Sequence, residues 1–400
     1  MGSNVNKIKH TAMIANYNEG GLKMPDLEQI MYTQRIIWLK RFLNDSENVW
    51  KTFMHWQLDK IGGTMIFQNS QIAILDIQKK KMLSFYESII TAWALFFKDT
   101  EDQKTPIIAH PLYFNSMITN PKGTSLYYPD LIKKGICYVN DVVSNGQLVP
   151  PLTMKRVKHL NGNEFFHYLS LYSCIRSNKT MTTLLVSAPI NLILPNPSAK
   201  IATENSKSIY NKLVKCIVET PSSESKLVEH YQIDKNKLKK IYQLPFCVTI
   251  ESKMRAFQFK INHLIYYTNE KLAEKNMIDH DTCTFCQRNT ESLTHLFIDC
   301  PFTEKLWIEL ERITEYKFNN SEKLFGCFTS LSEQHFNVIS HCTILLKYYV
   351  HICRIKNTVP SVQIFRKRIL YSQFLESEIA KKRNKIELHD SKWMTTLEKF

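Results

Sequence analysis

Four hundred residues with 52 Lys and Arg against 37 Asp and Glu carry a formal net charge of +15, on a background 44% hydrophobic and 22% charged. That hydrophobic content excludes wholesale disorder and leaves room for two or three packed domains. The charge excess is more than solubility requires and points to a polyanionic partner, nucleic acid first, against the alternative of a basic surface with no specific partner.

The opening run, Met1-Gly2-Ser3-Asn4-Val5-Asn6-Lys7-Ile8-Lys9-His10, has no apolar core segment, so no secretory signal is expected. Asn6 stands where a myristoylation motif wants Ser or Thr. No window reaches the roughly 18 apolar residues of a membrane span. The ten cysteines show no pairing pattern outside one cluster, which argues for a reducing compartment. The expected location is therefore cytoplasmic, nuclear or both, with no membrane partner and no small-molecule substrate.

Only 10 Gly are present and apolar residues recur mostly at helical spacing. The expected fold is mainly α, multi-helical, with few strands, a loop-rich and proline-containing first half, and a small CCHC zinc-binding module. After Gly20-Gly21, Pro25 and Asp26 can open a helix with Leu27, Ile30, Met31, Ile37 and Trp38 on an apolar face and Arg35, Lys40 and Arg41 on a basic one. Residues 81–97 predict a second helix through Phe85, Ile89, Trp93 and Phe96. From Pro106 to about Pro151 prolines and aromatics cluster, and no long helix can run through them. Leu194-Pro195-Asn196-Pro197-Ser198 and Thr220-Pro221-Ser222-Ser223-Glu224-Ser225 are linker candidates. The expected domains are 1–235, 236–312 and 313–400.

Beyond residue 235, Met254, Phe257, Ile261, Leu264, Ile265 and Leu272 define a helical stripe, with Lys253, Arg255, Lys260 and His263 off it. The stripe leads into the most informative run, Cys283-Thr-Phe-Cys286, eight residues, then His295-Leu-Phe-Ile-Asp-Cys300. Two thiols separated by two residues grip one ion from a tight turn, and a His followed five residues later by a Cys completes a tetrahedron. Four protein ligands make the site structural. Leu296, Phe297 and Trp307 supply the small apolar cap that such a module needs. Unmetallated buried thiols are the alternative, and His280 is a competing ligand. A long helix is expected over 332–356, starting at Ser332 with Phe336, Ile339, Leu346, Tyr349, Val350 and Cys353 inward, and a last one over 361–386.

For nucleic-acid contact the candidates are Lys253, Arg255, Lys260 and Arg288 near the cluster, with Arg366, Lys367, Arg368, Lys381, Lys382 and Arg383 on the terminal helix. A solvated basic face is the alternative for the last six. Phe285 and Phe297 could stack on bases or belong to the core. Enzymatic readings find little support. The sequence contains no Asp-Asp pair for two-metal chemistry, no Gly-Lys phosphate loop and no Gly-x-Ser-x-Gly elbow. Asp279 and Asp281 are expected to tune charge or cap a turn, and Pro25-Asp26 and Pro129-Asp130 to start helices or turns.

Several stretches resemble the C-terminal part of reverse-transcriptase polyproteins of LINE-type (non-LTR) retrotransposons. They are Gly20-Gly21-Leu22-Lys23-Met24-Pro25-Asp26 with Trp38-Leu39-Lys40-Arg41, then Pro111-Leu112-Tyr113-Phe114-Asn115, and Lys134-Gly135-Ile136-Cys137-Tyr138-Val139-Asn140-Asp141. The most specific are Phe257-Gln258-Phe259-Lys260-Ile261-Asn262-His263, Thr268-Asn269-Glu270, and the cluster with Glu291 and Leu306-Trp307. The resemblance implies a zinc-binding domain following the polymerase, with Cys283, Cys286, His295 and Cys300 as ligands of structural Zn²⁺. It further implies single-stranded or structured RNA as partner, DNA as the second candidate, and no catalysis, because the paired aspartates of the polymerase palm and the endonuclease are not seen here. A protein-docking scaffold, host-adopted or inert, is the alternative function, and a cryptic nuclease the third.

Overall fold

The computed structural model describes residues 8–44, 47–68, 71–97, 107–144, 146–186, 201–326 and 333–397. It is mainly helical, and the only strand pairing longer than an isolated bridge among the described residues is one hairpin. Contacts divide the chain into two compact units. One is Pro25–Ile217, and the other joins the described residues up to Met24 to those from Val218 onward.

In the first unit, α1 (Leu27–Phe42) starts at Asp26, whose carboxylate accepts from Gln29 N at 2.8 Å and so satisfies one of the amides a helix start leaves over. The face that α1 buries is Gln29, Thr33, Ile36, Leu39 and Phe42, not the one expected from hydrophobicity. Leu27 is 80% exposed, and Ile30 and Met31 also face outward. Two polar members hide the stripe from a hydrophobicity reading, and Thr33 is compatible with burial because its hydroxyl donates to Gln29 O at 2.7 Å. Two of the basic residues of α1 are engaged, Arg35 donating to Ser88 Oγ at 2.7 Å and Lys40 to the carbonyls of Ala202 and Glu204, while Arg41 is exposed.

The same unit holds α2 (Val49–Asp59), α3 (Ser84–Phe97), α4 (Gly162–Ser177) and α5 (Ser206–Lys215), with α1 packed on α3 and α5. α3 matches the expected helix and buries Ile89, Trp93 and Phe96. The proline-rich stretch holds only short elements, among them the helix Pro129–Lys133, and part of it is buried. Leu112, Tyr113, Phe114 and Asn115 are all buried, and Tyr113 Oη donates to Ile136 O at 2.8 Å. Asp141 accepts from the amides of Cys137 and Tyr138, both at 2.8 Å, and the hairpin β1 (Val143–Ser144) with β2 (Gln147–Leu148) follows. The linker candidate Leu194–Ser198 lies outside the described residues. The other, Thr220–Ser225, instead runs into a helix.

That helix is α6 (Ser223–Tyr231) of the second unit, followed by α7 (Lys235–Val248), α8 (Ser252–Asn262), α9 (Pro301–Thr314) and α10 (Asn320–Phe325). Then come α11 (Glu333–Ile355), α12 (Val362–Lys382) and α13 (Ile386–Leu397). α11 is the axis. It buries Ile339, Leu346, Tyr349, Val350 and Cys353 as expected, and α7, α8, α9, α12 and α13 all pack on it. The expected cap Ser332 lies outside the described residues. The last expected helix is α12, which stops at Lys382 because Asn384 takes φ 52°, left-handed backbone; α13 follows beyond the expected span. A 3-10 turn at Tyr17–Glu19 sits on α7, with the Tyr17 and Phe246 rings stacked at 3.8 Å.

Candidate metal centre

α8 ends at His263, and the backbone turns at Leu264 with φ 54°. The chain then enters a one-turn helix, Asn269–Ala273, capped by Thr268, and a compact loop. In that loop Cys283 N bonds Asn289 O at 2.8 Å and Gln287 N bonds Cys283 O at 3.0 Å, so the Cys-Thr-Phe-Cys segment is wound into a knuckle. Thr282 pairs with Thr290 across its base, and Asp281 closes it by accepting from Thr290 Oγ1 at 3.0 Å.

The second ligand pair depends on an uncommon turn. Side chains five residues apart on an α-helix diverge by about 140°. Here His295–Asp299 is π-helical, and Cys300 N bonds His295 O at 2.8 Å, an i→i+5 bond that brings His295 and Cys300 back to one side. The widened turn leaves carbonyls over, and side chains of α9 satisfy them: Thr303 Oγ1 donates to Leu296 O at 2.9 Å and Trp307 Nε1 to Phe297 O at 2.7 Å. Leu296, Phe297 and Trp307, the expected apolar cap, are buried. Phe297 is fully buried and Phe285 nearly so, so neither is a stacking platform.

The ligand atoms of Cys283, Cys286, His295 and Cys300 all lie within 4.8 Å of one another. Cys283 Sγ is 3.9 Å from Cys300 Sγ, and Cys286 Sγ is 3.3 Å from His295 Nε2. A zinc tetrahedron with sulfur at about 2.3 Å and nitrogen at about 2.0 Å has S···S edges of about 3.8 Å and S···N edges of about 3.5 Å. The donor set and its spacing therefore fit zinc. Cys283 is pushed up chiefly by its hydrogen bond to Cys300, with burial adding to it, and the same bond holds the Cys300 thiol down. His280 is exposed and outside the cluster.

Residues 223–307 match the family model for zinc-binding in reverse transcriptase. No curated protein matches the chain. The chain thus carries a reverse-transcriptase-associated zinc-binding region, which opens with α6, runs through α7, α8 and the cluster, and closes at Trp307 on α9. Four protein donors are what a closed tetrahedral site supplies. Among the described residues no helix is long and apolar enough to cross a membrane.

The basic candidates sit in different surroundings. Arg255 is engaged at the end of α7, donating to Thr249 O at 2.7 Å and Phe246 O at 3.3 Å. Arg366 pairs with Glu309 at 2.6 Å, Arg368 lies over the Tyr349 ring, and Lys381 pairs with Glu378 at 2.7 Å. Lys253, Lys260, Arg288, Lys367, Lys382 and Arg383 are exposed. His263, expected off the stripe, is buried between Tyr242 and Phe259 and held down to about 4 by desolvation. Sequence reading missed Arg354, whose partner Glu291 lies in the cluster loop. Its only signal was a lone Arg on the buried face of a long helix.

Proposed function

We propose that this chain is a non-catalytic RNA-binding protein corresponding to the part of a LINE-type reverse transcriptase that follows the polymerase. Zinc held by Cys283, Cys286, His295 and Cys300 clamps the fold, and exposed Lys and Arg contact phosphates. The observation that carries this reading is the coincidence of a closed four-donor cluster with the match at residues 223–307. The net charge of +15 supports an anionic partner, and the scattered thiols a cytoplasmic or nuclear setting.

The test is binding of the zinc-loaded chain to single-stranded RNA across a salt series, beside the Cys283→Ser/Cys286→Ser variant. Binding that weakens steeply with salt and is lost in the variant is expected. No binding at low salt would overturn the reading.

One observation favours a second reading, a protein-docking scaffold. Ile364, Tyr371 and Phe374 are 51%, 62% and 56% exposed along one face of α12. Capture of an acidic protein without RNA affinity would support it.

A further inference from the structure

α8 and α11 leave between them a groove of about 480 Å³. Lys253 and Lys260, seven residues apart on α8, stand on one wall, and Tyr348, His351 and Arg354 follow at three-residue steps along the other. Tyr267 also lines it. Volumes of a few hundred Å³ suit a small organic group. The walls combine what an unpaired nucleotide needs: ring faces for the base and exposed ammonium groups for the phosphates.

The His351 ring is held in place. His351 lies flat on buried Phe257, with centroids 5.0 Å apart and planes at 23°, and its Nδ1 is 2.9 Å from Tyr266 Oη. Burial, with Arg354 and Lys260 adding to it, lowers His351 to about 4, so the imidazole is neutral at physiological pH. Arg354 is fixed by Glu291 and Asn269 and lends its charge without swinging into the groove. Lys253 and Lys260 are both exposed at the mouth. Ala256, exposed between them, keeps the α8 wall low.

We propose that this groove takes one unpaired nucleotide of a single-stranded RNA, the base against Tyr348 and Tyr267 and the flanking phosphates on Lys253 and Lys260. The proposal rests on the RNA-binding reading above and places it on named side chains. A base stacked here is read by its face, so little sequence preference follows. A duplex offers no free base face, because its bases are already stacked on one another.

The experiment measures fluorescence anisotropy of a labelled oligouridylate of about 10 nucleotides against the zinc-loaded full chain. Lys253→Glu/Lys260→Glu is compared with the charge-matched Lys122→Glu/Lys179→Glu, whose lysines are exposed elsewhere. Tyr348→Leu forms a second arm, accepted only if its zinc content and circular dichroism equal those of the parent. The groove pair should weaken binding by about tenfold or more and flatten the log–log salt dependence by about 1.4. Tyr348→Leu should cost about tenfold, and a duplex of the same length should bind more weakly than the single strand. If the parent binds RNA but the groove pair behaves like the control pair, or the duplex binds as tightly, the groove is wrong and the RNA reading stands. If the parent binds no RNA, both fall.

Discussion

Arg354 Nε donates to Glu291 Oε1 at 2.7 Å, joining residues 63 apart in sequence, α11 to the loop that carries the first two cysteines. Glu291 is fully buried, and its carboxylate also accepts from Asn269 N at 3.0 Å, Thr284 N at 2.8 Å and Thr284 Oγ1 at 2.7 Å. Thr284 directly follows Cys283, so this carboxylate fixes the knuckle, the turn at Asn269 and one wall of the basic groove at a single point. A buried carboxylate with all its acceptor positions used is tolerated only while its donors stay.

Arg354→Ala should therefore destabilise the chain by about 3–5 kcal/mol, the range for stranding one partner of a buried ion pair. Urea unfolding checks it. A loss below about 1 kcal/mol, the range of exposed pairs, would show that water replaces the guanidinium and that the pair does not hold the loop. Zinc affinity, read by chelator competition, should fall in the same variant because the knuckle loses its outer support.

Removing the metal should do more. Structural zinc contributes folding free energy on the order of 10 kcal/mol in small metal domains. Cys283→Ser/Cys286→Ser is therefore expected to lose its zinc and unfold roughly residues 275–310, seen as hydrogen exchange rising there and not in α1 or α3. Unchanged metal content would remove these two cysteines from the ligand set.

The ligand cluster was legible because metal binding fixes both residue type and spacing, and Cys283, Cys286, His295 and Cys300 satisfy both. The π-helical turn was not, since the backbone widening that aligns His295 with Cys300 is stabilised by Thr303 and Trp307 from the next helix. Periodicity found α3, α8 and α11 because each carries a sustained apolar stripe, although Gln258 and Asn262 of α8 and His341 and Lys347 of α11 are buried as well, and the stripe read through to Leu272 runs past the end of α8 at Asn262. It failed on α1, where Gln29 and Thr33 point inward, and it set the end of α12 near 386, where left-handed Asn384 stops the helix a few residues sooner, leaving α13 unread. The groove was invisible for a different reason: α8 and α11 are some 80 residues apart in sequence, and nothing local announces that Lys260 and Tyr348 share a cleft.

Gly20 provides a test of the N-terminal segment. Its φ is +81°, and a Cβ there would lie 2.7 Å from Pro221 Cγ and 3.3 Å from both the His263 and Tyr242 rings. Gly20→Ala combines left-handed strain with crowding against side chains that are themselves packed, and a loss of about 1–3 kcal/mol is expected. Thermal unfolding of the full chain reads it. A variant as stable as the parent would mean that the 3-10 turn at Tyr17–Glu19 contributes nothing to the unit it sits on.

Acid should weaken the second unit before it touches the carboxylates. His341 is fully buried, with Nδ1 3.1 Å from Val248 O and Nε2 2.9 Å from Ser372 Oγ, and desolvation first, then Lys392, lowers it from 6.5 to about 4. Between those values the unfolded chain binds a proton that the folded chain refuses. The stability contributed by the neutral ring is therefore whole above about pH 6.5 and is lost as pH falls toward 4. For His341 this amounts to about 3 kcal/mol, and His263 and His351, both held down to about 4 chiefly by desolvation, act in the same direction. Imidazole proton resonances resolve the claim residue by residue. His263, His341 and His351 should keep neutral shifts at pH 5.5, and a His341 midpoint near 6.5 would show that water or an acid-opened state reaches the core of α11.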